Sequence, residues 1–267
     1  NGEKIRDHLL DPAYTCFDKK AMYVTYDVTS HFKLGQNTLG VMLGNGWYNI
    51  QSQAVWEFHE ASWRNRPSFI LNICVEYESG KNEWIVSDSS WQTGLSAIMY
   101  NNLYSGEYYD ARKKQRGWNE NDFKASNWKP AVIVDCPTKQ VVAQALPPIR
   151  IKETVVPVSC KKLGPGIFIY DLGRNIAGVC KFTFKGIPGT KIRMKHGEKL
   201  YPDGRIDLSN IDYFFHPELQ TEELQTDSYI IAGDQQEEYT PRFTYHGFRY
   251  IEVIADKPID FNNLPLM

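Results

Sequence analysis

"TKIRMKHGE", residues 190–198, decides the class of fold. Ile192, Met194 and His196 fall on one side of an extended chain and Lys191, Arg193 and Lys195 on the other, because side chains alternate across a strand with a period of two. The turn signal "IPG" at 187–189 sets its start. "PSFILNICVEYES", residues 67–79, repeats the pattern, with Phe69, Leu71, Ile73, Val75 and Tyr77 opposite Ser68, Asn72, Glu76 and Glu78. Further strands are expected over 21–28, 38–44, 83–87, 97–104, 166–170, 178–185 and 226–232. No stretch holds a helical period for long, so helix is expected only in short pieces such as "NDFKASNW" at 121–128, where Asn121 can cap the first turn. Short strands between Gly, Pro, Asn and Asp turns imply an all-β chain of two antiparallel β-sandwich domains. The proline-rich run at 135–158, stiffened by Pro147 and Pro148, reads as the handover between them, which divides the chain into 1–134 and 135–267.

With 42% apolar and 23% charged residues, the composition is that of a folded globular protein, not a disordered or fibrous one. The net charge of −2 comes from interspersed acids and bases and offers no field for nucleic acid or for an anionic membrane, so neither is an expected partner. No apolar run approaches a membrane span. The five cysteines are widely spaced and include no C-x-x-C pair, so neither a zinc site nor a disulfide framework is indicated; Cys74 and Cys180, inside apolar runs, read as small core residues. Aromatic residues make up 13% of the chain, a richness that suits both sheet surfaces and stacking on sugar rings.

Several stretches carry groups capable of chemistry. "YSGEYYDAR", residues 104–112, sets Glu107 and Asp110 beside Arg112. Two carboxylates invite an acid and base reading, but glycoside hydrolysis requires them on either side of a sugar, and a separation of three residues does not guarantee that. An ion pair of Arg112 with one of them, tying down a turn, is the plainer reading; a calcium or sugar-hydroxyl site competes with it. "LGNGWYNI", residues 43–50, reads as a tight Gly-Asn-Gly turn followed by aromatics that either cover a core edge or form a platform for sugar, with Asn45 and Asn49 as hydroxyl partners. "DGRIDLSNID", residues 203–212, lacks the order of an EF-hand and reads as a solvated loop. In "FTYHGFRYIEV", residues 243–253, the aromatic series slips by one residue near His246 and Gly247, as a β-bulge would make it, and Arg249 on the opposite face needs a carboxylate or carbonyl partner. No nucleophile elbow, zincin, dinucleotide or phosphate-loop motif occurs, so the residues alone describe a chain that does no catalysis.

Taken in order, "LLDPAYTCFDKKAMYVTYDVTSHFKLGQNTLGVMLGNGWY", "NNLYSGEYYDAR", "YDLGRNIAGVCKFTFKGIPGTKIRMKHGEKLYPDGRI", "TDSYIIAG" and "PRFTYHGFRYIEV" resemble the region upstream of the catalytic domain in bacterial α-L-rhamnosidases. The resemblance implies a jelly-roll-like sandwich followed by a concanavalin-like one. It also implies an inverting glycosidase whose acids sit on a downstream α/α barrel, so that no catalytic residue is expected here. "NGEKI", residues 1–5, is similar to a turn inside the first sandwich, and the resemblance therefore implies opening strands ahead of it. Expected partners are the barrel of the same parent chain and a rhamnose-containing oligosaccharide or polysaccharide, in a periplasmic or secreted setting. Some members carry sugar and calcium on the first sandwich. Asn45, Trp47, Asn101, Asn102, Glu107 and Asp110 are the candidates on chemistry, no cofactor being required and calcium being the one expected ion. The rival is a free-standing carbohydrate-binding or adhesion protein.

Overall fold

A computed structural model describes residues 1–216, 222–234 and 236–260. Among these, helix is limited to short 3-10 turns, and the chain is built of strands. The largest sheet has seven strands, in the order Ile98–Asn102, Gly106–Asp110, Thr226–Ile230, Lys191–Gly197, His246–Ala255, Ile167–Gly178 and Ser159–Gly164. A three-stranded sheet, with Phe182–Gly186 between Glu237–Tyr239 and Ile259–Asp260, accompanies it.

Lys191–Gly197 lies at the centre because its apolar face is continuous. Ile192, Met194 and His196 are fully buried, as the alternation predicts. Ile192 and Met194 join Phe248, Ile251 and Val253 of the neighbouring strand and Phe182 and Phe184 of the smaller sheet in one core, and the His196 ring lies 4.7 Å from that of Phe248. Burying a side chain of this size is worth about 1.5–3 kcal/mol, so this cluster is what drives the strands together.

Before residue 98 the ladders are short. Asn72–Glu76 pairs with Asn82–Val86, Ala21–Tyr23 with Val141–Ala143, and Gln92–Thr93 with Lys129–Pro130. In the first of these pairs Leu71, Ile73 and Val75 are half-buried while Asn72, Cys74 and Glu76 are exposed, in the expected phase, but Phe69 and Tyr77, expected on the buried face, are exposed. Cys74 is thus a surface residue, in contrast to Cys180, which lies in the core. Residues 38–44 form no ladder. Asn121 caps no helix; its amide instead donates to the Gln36 carbonyl, and "NDFKASNW" folds as turns. "DGRIDLSNID" is not simply solvated either. Lys199–Leu200 and Ile206–Asp207 pair as a small hairpin that buries Ile206 and Leu208, while Arg205 holds Glu252 by two hydrogen bonds of 2.6 and 2.9 Å.

The register irregularity expected at His246 and Gly247 lies in the partner strand. His246, Gly247 and Phe248 pair regularly with Gly178, Ala177 and Ile176, and the shift falls between Asp171 and Ile176. Arg249, opposite that insertion, meets Asp171 with two hydrogen bonds of 2.8 and 2.9 Å, so of the carboxylate or carbonyl partner expected for it the structure supplies a carboxylate.

One pairing is of another kind. Gly106–Asp110 runs parallel to Thr226–Ile230, with Tyr108, Tyr109 and Asp110 opposite Ser228, Tyr229 and Ile230. This places strands from 98–110 in the same sheet as strands that follow residue 158. Tyr109 stacks on Tyr229 across the junction with ring planes 1° apart and centroids at 5.5 Å. Gly106 makes the approach possible: its φ is +119°, and a Cβ there would stand 2.5 Å from the Thr226 carbonyl oxygen. Gly106→Ala is expected to lower unfolding stability by roughly 2–4 kcal/mol, combining backbone strain with a forced shift of the strand. Urea midpoints for the two proteins measure this, and an unchanged midpoint would mean that the junction yields freely.

Candidate functional site

The polar groups of the chain converge on the junction between Gly106–Asp110 and Thr226–Ile230. Glu107 points inward from its strand and is fully buried. Its Oε2 accepts the backbone N–H groups of Arg242 and Phe243 at 3.1 and 3.2 Å, and the Tyr239 hydroxyl donates to its backbone carbonyl at 3.2 Å. Its own N–H donates to Asp227 Oδ1 at 2.8 Å, while Asp227 Oδ2 lies 3.1 Å from His246 Nε2. Burial pushes the Glu107 carboxyl up to about 7, against the pull of the Arg242 and Phe243 donors. Burial acts on Asp227 in the same direction, but the charge and hydrogen bond of His246 outweigh it and hold that carboxyl below its usual range.

Asp110 is held from the other side. Arg112 donates to both its oxygens at 2.8 Å, and the Arg112 N–H adds a third bond at 3.1 Å. The ion pair tying down a turn is therefore the reading that the structure bears out, with Arg112 lowering the Asp110 carboxyl. Glu107 and Asp110 do not face one another across a cleft: one is sealed in the core and the other is closed by its arginine. A calcium ion would have to displace Arg112 and the two backbone donors to reach either.

Asn102 is likewise fully buried, its Oδ1 accepting the Tyr104 N–H at 2.8 Å and its amide donating to Ser52 at 3.0 Å. Burial removes Asn102 and Glu107 from any set of groups that meets a ligand from solvent. Asn45 and Asn101 do come together: Asn101 Oδ1 accepts the Asn45 N–H at 2.7 Å, and the Asn45 amide donates to the Asn101 carbonyl at 2.8 Å. Asn49 adds a bond to Asn45 Oδ1 at 2.8 Å. These asparagines dock the Gly44–Gly46 turn on the Ile98–Asn102 strand. Gly44 is required because a Cβ there would overlap the Phe243 ring at 2.2 Å, whereas Gly46 supplies the left-handed φ of +51°.

Trp47 packs among Tyr14, Phe58 and Tyr104 at centroid distances of 5.2–5.6 Å and is half-buried, so it acts chiefly as a wall. The more open aromatic rings nearby in the chain or the fold are Trp56, 57% exposed, Tyr213 at 64% and Tyr245 at 42%. Trp56 stacks on Tyr104 at 5.8 Å and on Phe214 at 6.1 Å. Sequence reasoning missed Trp56, which sits in "QAVWEFHEAS" with no turn motif beside it. It also missed Asp227 and Glu237. Glu237 binds the N–H groups of Ala232, Gly233 and Asp234 and the Tyr229 hydroxyl, and its only signal was a glycine turn four residues before an acid.

Comparison with known proteins places this geometry. The family described as "Alpha-L-rhamnosidase N-terminal domain" matches residues 1–153, and "Bacterial alpha-L-rhamnosidase concanavalin-like domain" matches 161–261. An α-L-rhamnosidase of Streptomyces avermitilis is 35% identical over 95% of this chain and 24% of its own length, and one of Formosa agariphila is 33% identical over 97% and 27%. Among solved structures, the S. avermitilis α-L-rhamnosidase complexed with L-rhamnose superposes with a TM-score of 0.83 at 32% identity, covering all of this chain and 25% of that one. The α-L-rhamnosidase of Dictyoglumus thermophilum gives 0.79 at 34%, covering 98% and 29%. The chain thus spans about a quarter of the length of the relatives it matches.

The polar junction gives a direct measurement. Glu107→Ala leaves the Arg242 and Phe243 N–H donors without their acceptor and a gap in the core, and is expected to cost roughly 2–5 kcal/mol, whereas Glu107→Gln keeps an acceptor for both and carries no charge to desolvate, and is expected to cost much less. Urea unfolding of both variants at neutral pH separates the two. Equal losses would show that the negative charge, and not the acceptor, holds the junction.

Proposed function

Since the chain belongs to the bacterial α-L-rhamnosidase family, we propose that it is the non-catalytic β-sandwich portion of an enzyme that removes terminal α-L-rhamnose. Its work in that enzyme is to buttress a catalytic α/α barrel carried by the same parent protein. One observation carries the reading. The carboxylates buried among the described residues are Glu107, Asp110, Asp227, Glu237 and Glu252, and each is committed to donors within this fold. Inverting hydrolysis needs two uncommitted carboxyl groups about 6.5–9.5 Å apart with a water between them. A chain whose buried acids are all held by its own backbone, arginine, tyrosine and histidine groups supplies rigidity to a neighbour, and those buried acids are not free to move protons for a substrate.

The exposed aromatic ring of Trp56, stacked on Tyr104, supports a second role, retention of a rhamnose-containing saccharide, because sugar rings stack on such rings. A periplasmic or secreted setting belongs to the same proposal, since polymeric rhamnosides are met outside the cytoplasm.

Two measurements test these roles. With a chromogenic aryl α-L-rhamnoside, the full gene product is expected to turn over while the isolated chain gives no hydrolysis above buffer; turnover by the chain alone, lost in Glu107→Gln, would overturn the assignment. In calorimetry with L-rhamnose, Trp56→Ala is expected to weaken binding about tenfold, or about 1.4 kcal/mol. An absence of binding in the unmodified chain would eliminate the sugar role and leave the supporting one.

A further inference from the structure

The face of the seven-stranded sheet that points away from the core carries a dip lined by polar side chains. Strand register sets it out. Tyr108 pairs with Ser228 and Ser228 with Arg193, so these three stand in a row across neighbouring strands, on one side of the sheet. Alternation turns Asp227, Tyr229 and Met194 to the other side, where they are buried. Ser228 is short and sits between two long side chains, and Thr226, two residues earlier on the same side, is short as well. The result is a cavity of about 110 Å³ lined by Tyr108, Lys191, Arg193, Glu223, Thr226 and Ser228. From this lining we infer that the pocket is a binding site for one unit of a neutral saccharide, held through a pair of neighbouring hydroxyl groups.

The floor of the pocket is polar and uncommitted. Ser228 is 6% exposed, and its hydroxyl has no partner among the described residues, so it both donates and accepts toward an occupant. The Thr226 hydroxyl, by contrast, is spent on the Leu224 carbonyl at 2.9 Å. Arg193 and Glu223 form an ion pair at the rim. An arginine beside a carboxylate offers donors next to an acceptor, which two neighbouring hydroxyl groups meet together. Lys191 Nζ has no partner among the described residues and adds further donors. The Tyr108 ring, tilted against Tyr100 at a centroid distance of 5.1 Å, forms the apolar wall on which the C–H face of a sugar rests.

Charge and size select the class of ligand. Lys191 and Arg193 are balanced by Glu223 in the lining and by Glu222, whose charge acts on Tyr100 and Tyr108 beside it. A balanced lining gives an anion no advantage and suits hydroxyl groups, each of which donates and accepts. The cavity is larger than the space of a few water molecules and smaller than the roughly 300–1,000 Å³ of a site for a drug-sized ligand, so a single ring is the fit. The choice of sugar rests on the proposed saccharide setting of the chain. The pocket itself does not depend on Trp56, which lies outside its lining.

Backbone amide shifts of the purified chain, followed by NMR during titration with L-rhamnose, D-glucose and D-galactose in turn, test the site. With at least one of these sugars the amides of Arg193, Thr226 and Ser228 are expected to move together along one binding curve in the millimolar range. The same curve is expected in Trp56→Ala, so that a failure at Trp56 and a failure at this pocket are read separately. Ser228→Val fills the floor with a residue that suits a strand, and Arg193→Met removes the rim donors from an outward position. Each is expected to weaken the response about tenfold or more, in a spectrum that otherwise matches that of the unmodified chain. No movement of these amides at about 100 mM of any of the three sugars, where a site of millimolar affinity is filled, overturns the inference. A response undiminished in both variants does the same. Tighter, salt-sensitive binding of D-glucuronate would mark the pocket as an anion site and also overturn it.

Discussion

The structure depends on two carboxylates that supply acceptors where the strand ladders supply none. Glu107 receives the N–H groups of Arg242 and Phe243, and Asp227 receives the N–H of Glu107. A backbone donor left unmet against a closed core costs about 1–3 kcal/mol, so these bonds hold the turn before His246 to the Gly106–Asp110 strand. The aromatic cover over them, with Tyr109 on Tyr229 and Tyr239 beside both, excludes the water that would otherwise compete. Much of the rest follows: the sheet extends to seven strands because the edge of Thr226–Ile230 is occupied by Gly106–Asp110.

Local pattern made some of this legible in the sequence and left the rest out of reach. The alternation at 190–198 places Ile192, Met194 and His196 in the core, and the arginine in "FTYHGFRYIEV" calls for a carboxylate or carbonyl partner, which Asp171 supplies. Periodicity states which side a residue faces, not which strand lies beside it. The same loss of phase follows from an extra residue in either strand of a pair, which is why the irregularity was expected at His246 and is found between Asp171 and Ile176. Cys74 misled for a related reason: an apolar neighbourhood in sequence says nothing about whether the second face of a hairpin is covered.

The candidate ligands show the same limit. Asn102, Glu107 and Asp110 were chosen for their chemistry, and that chemistry is what the fold uses internally, as caps and acceptors for its own backbone. Residues with polar groups to spare look identical in sequence to residues whose groups are spent. Only the three-dimensional arrangement distinguishes Trp47, walled in by Tyr14, Phe58 and Tyr104, from Trp56, more than half open to solvent. Rigidity and commitment are two aspects of one property here, and they suit a body that holds another in place.

The parallel junction also sets the order in which this polypeptide can assemble. Glu107 and Asp227 are 120 positions apart, and closing so long a loop carries an entropic cost that grows with its logarithm, about 4 kcal/mol on a flexible-chain estimate. Hairpins and the central sheet can form before that cost is met, so Gly106–Asp110 docks late. During synthesis it leaves the ribosome well ahead of the strand that receives it. Until then the open edge at Thr226–Ile230 presents unpaired backbone to any copy of the same segment, which makes strand exchange between nascent molecules the characteristic hazard of this topology.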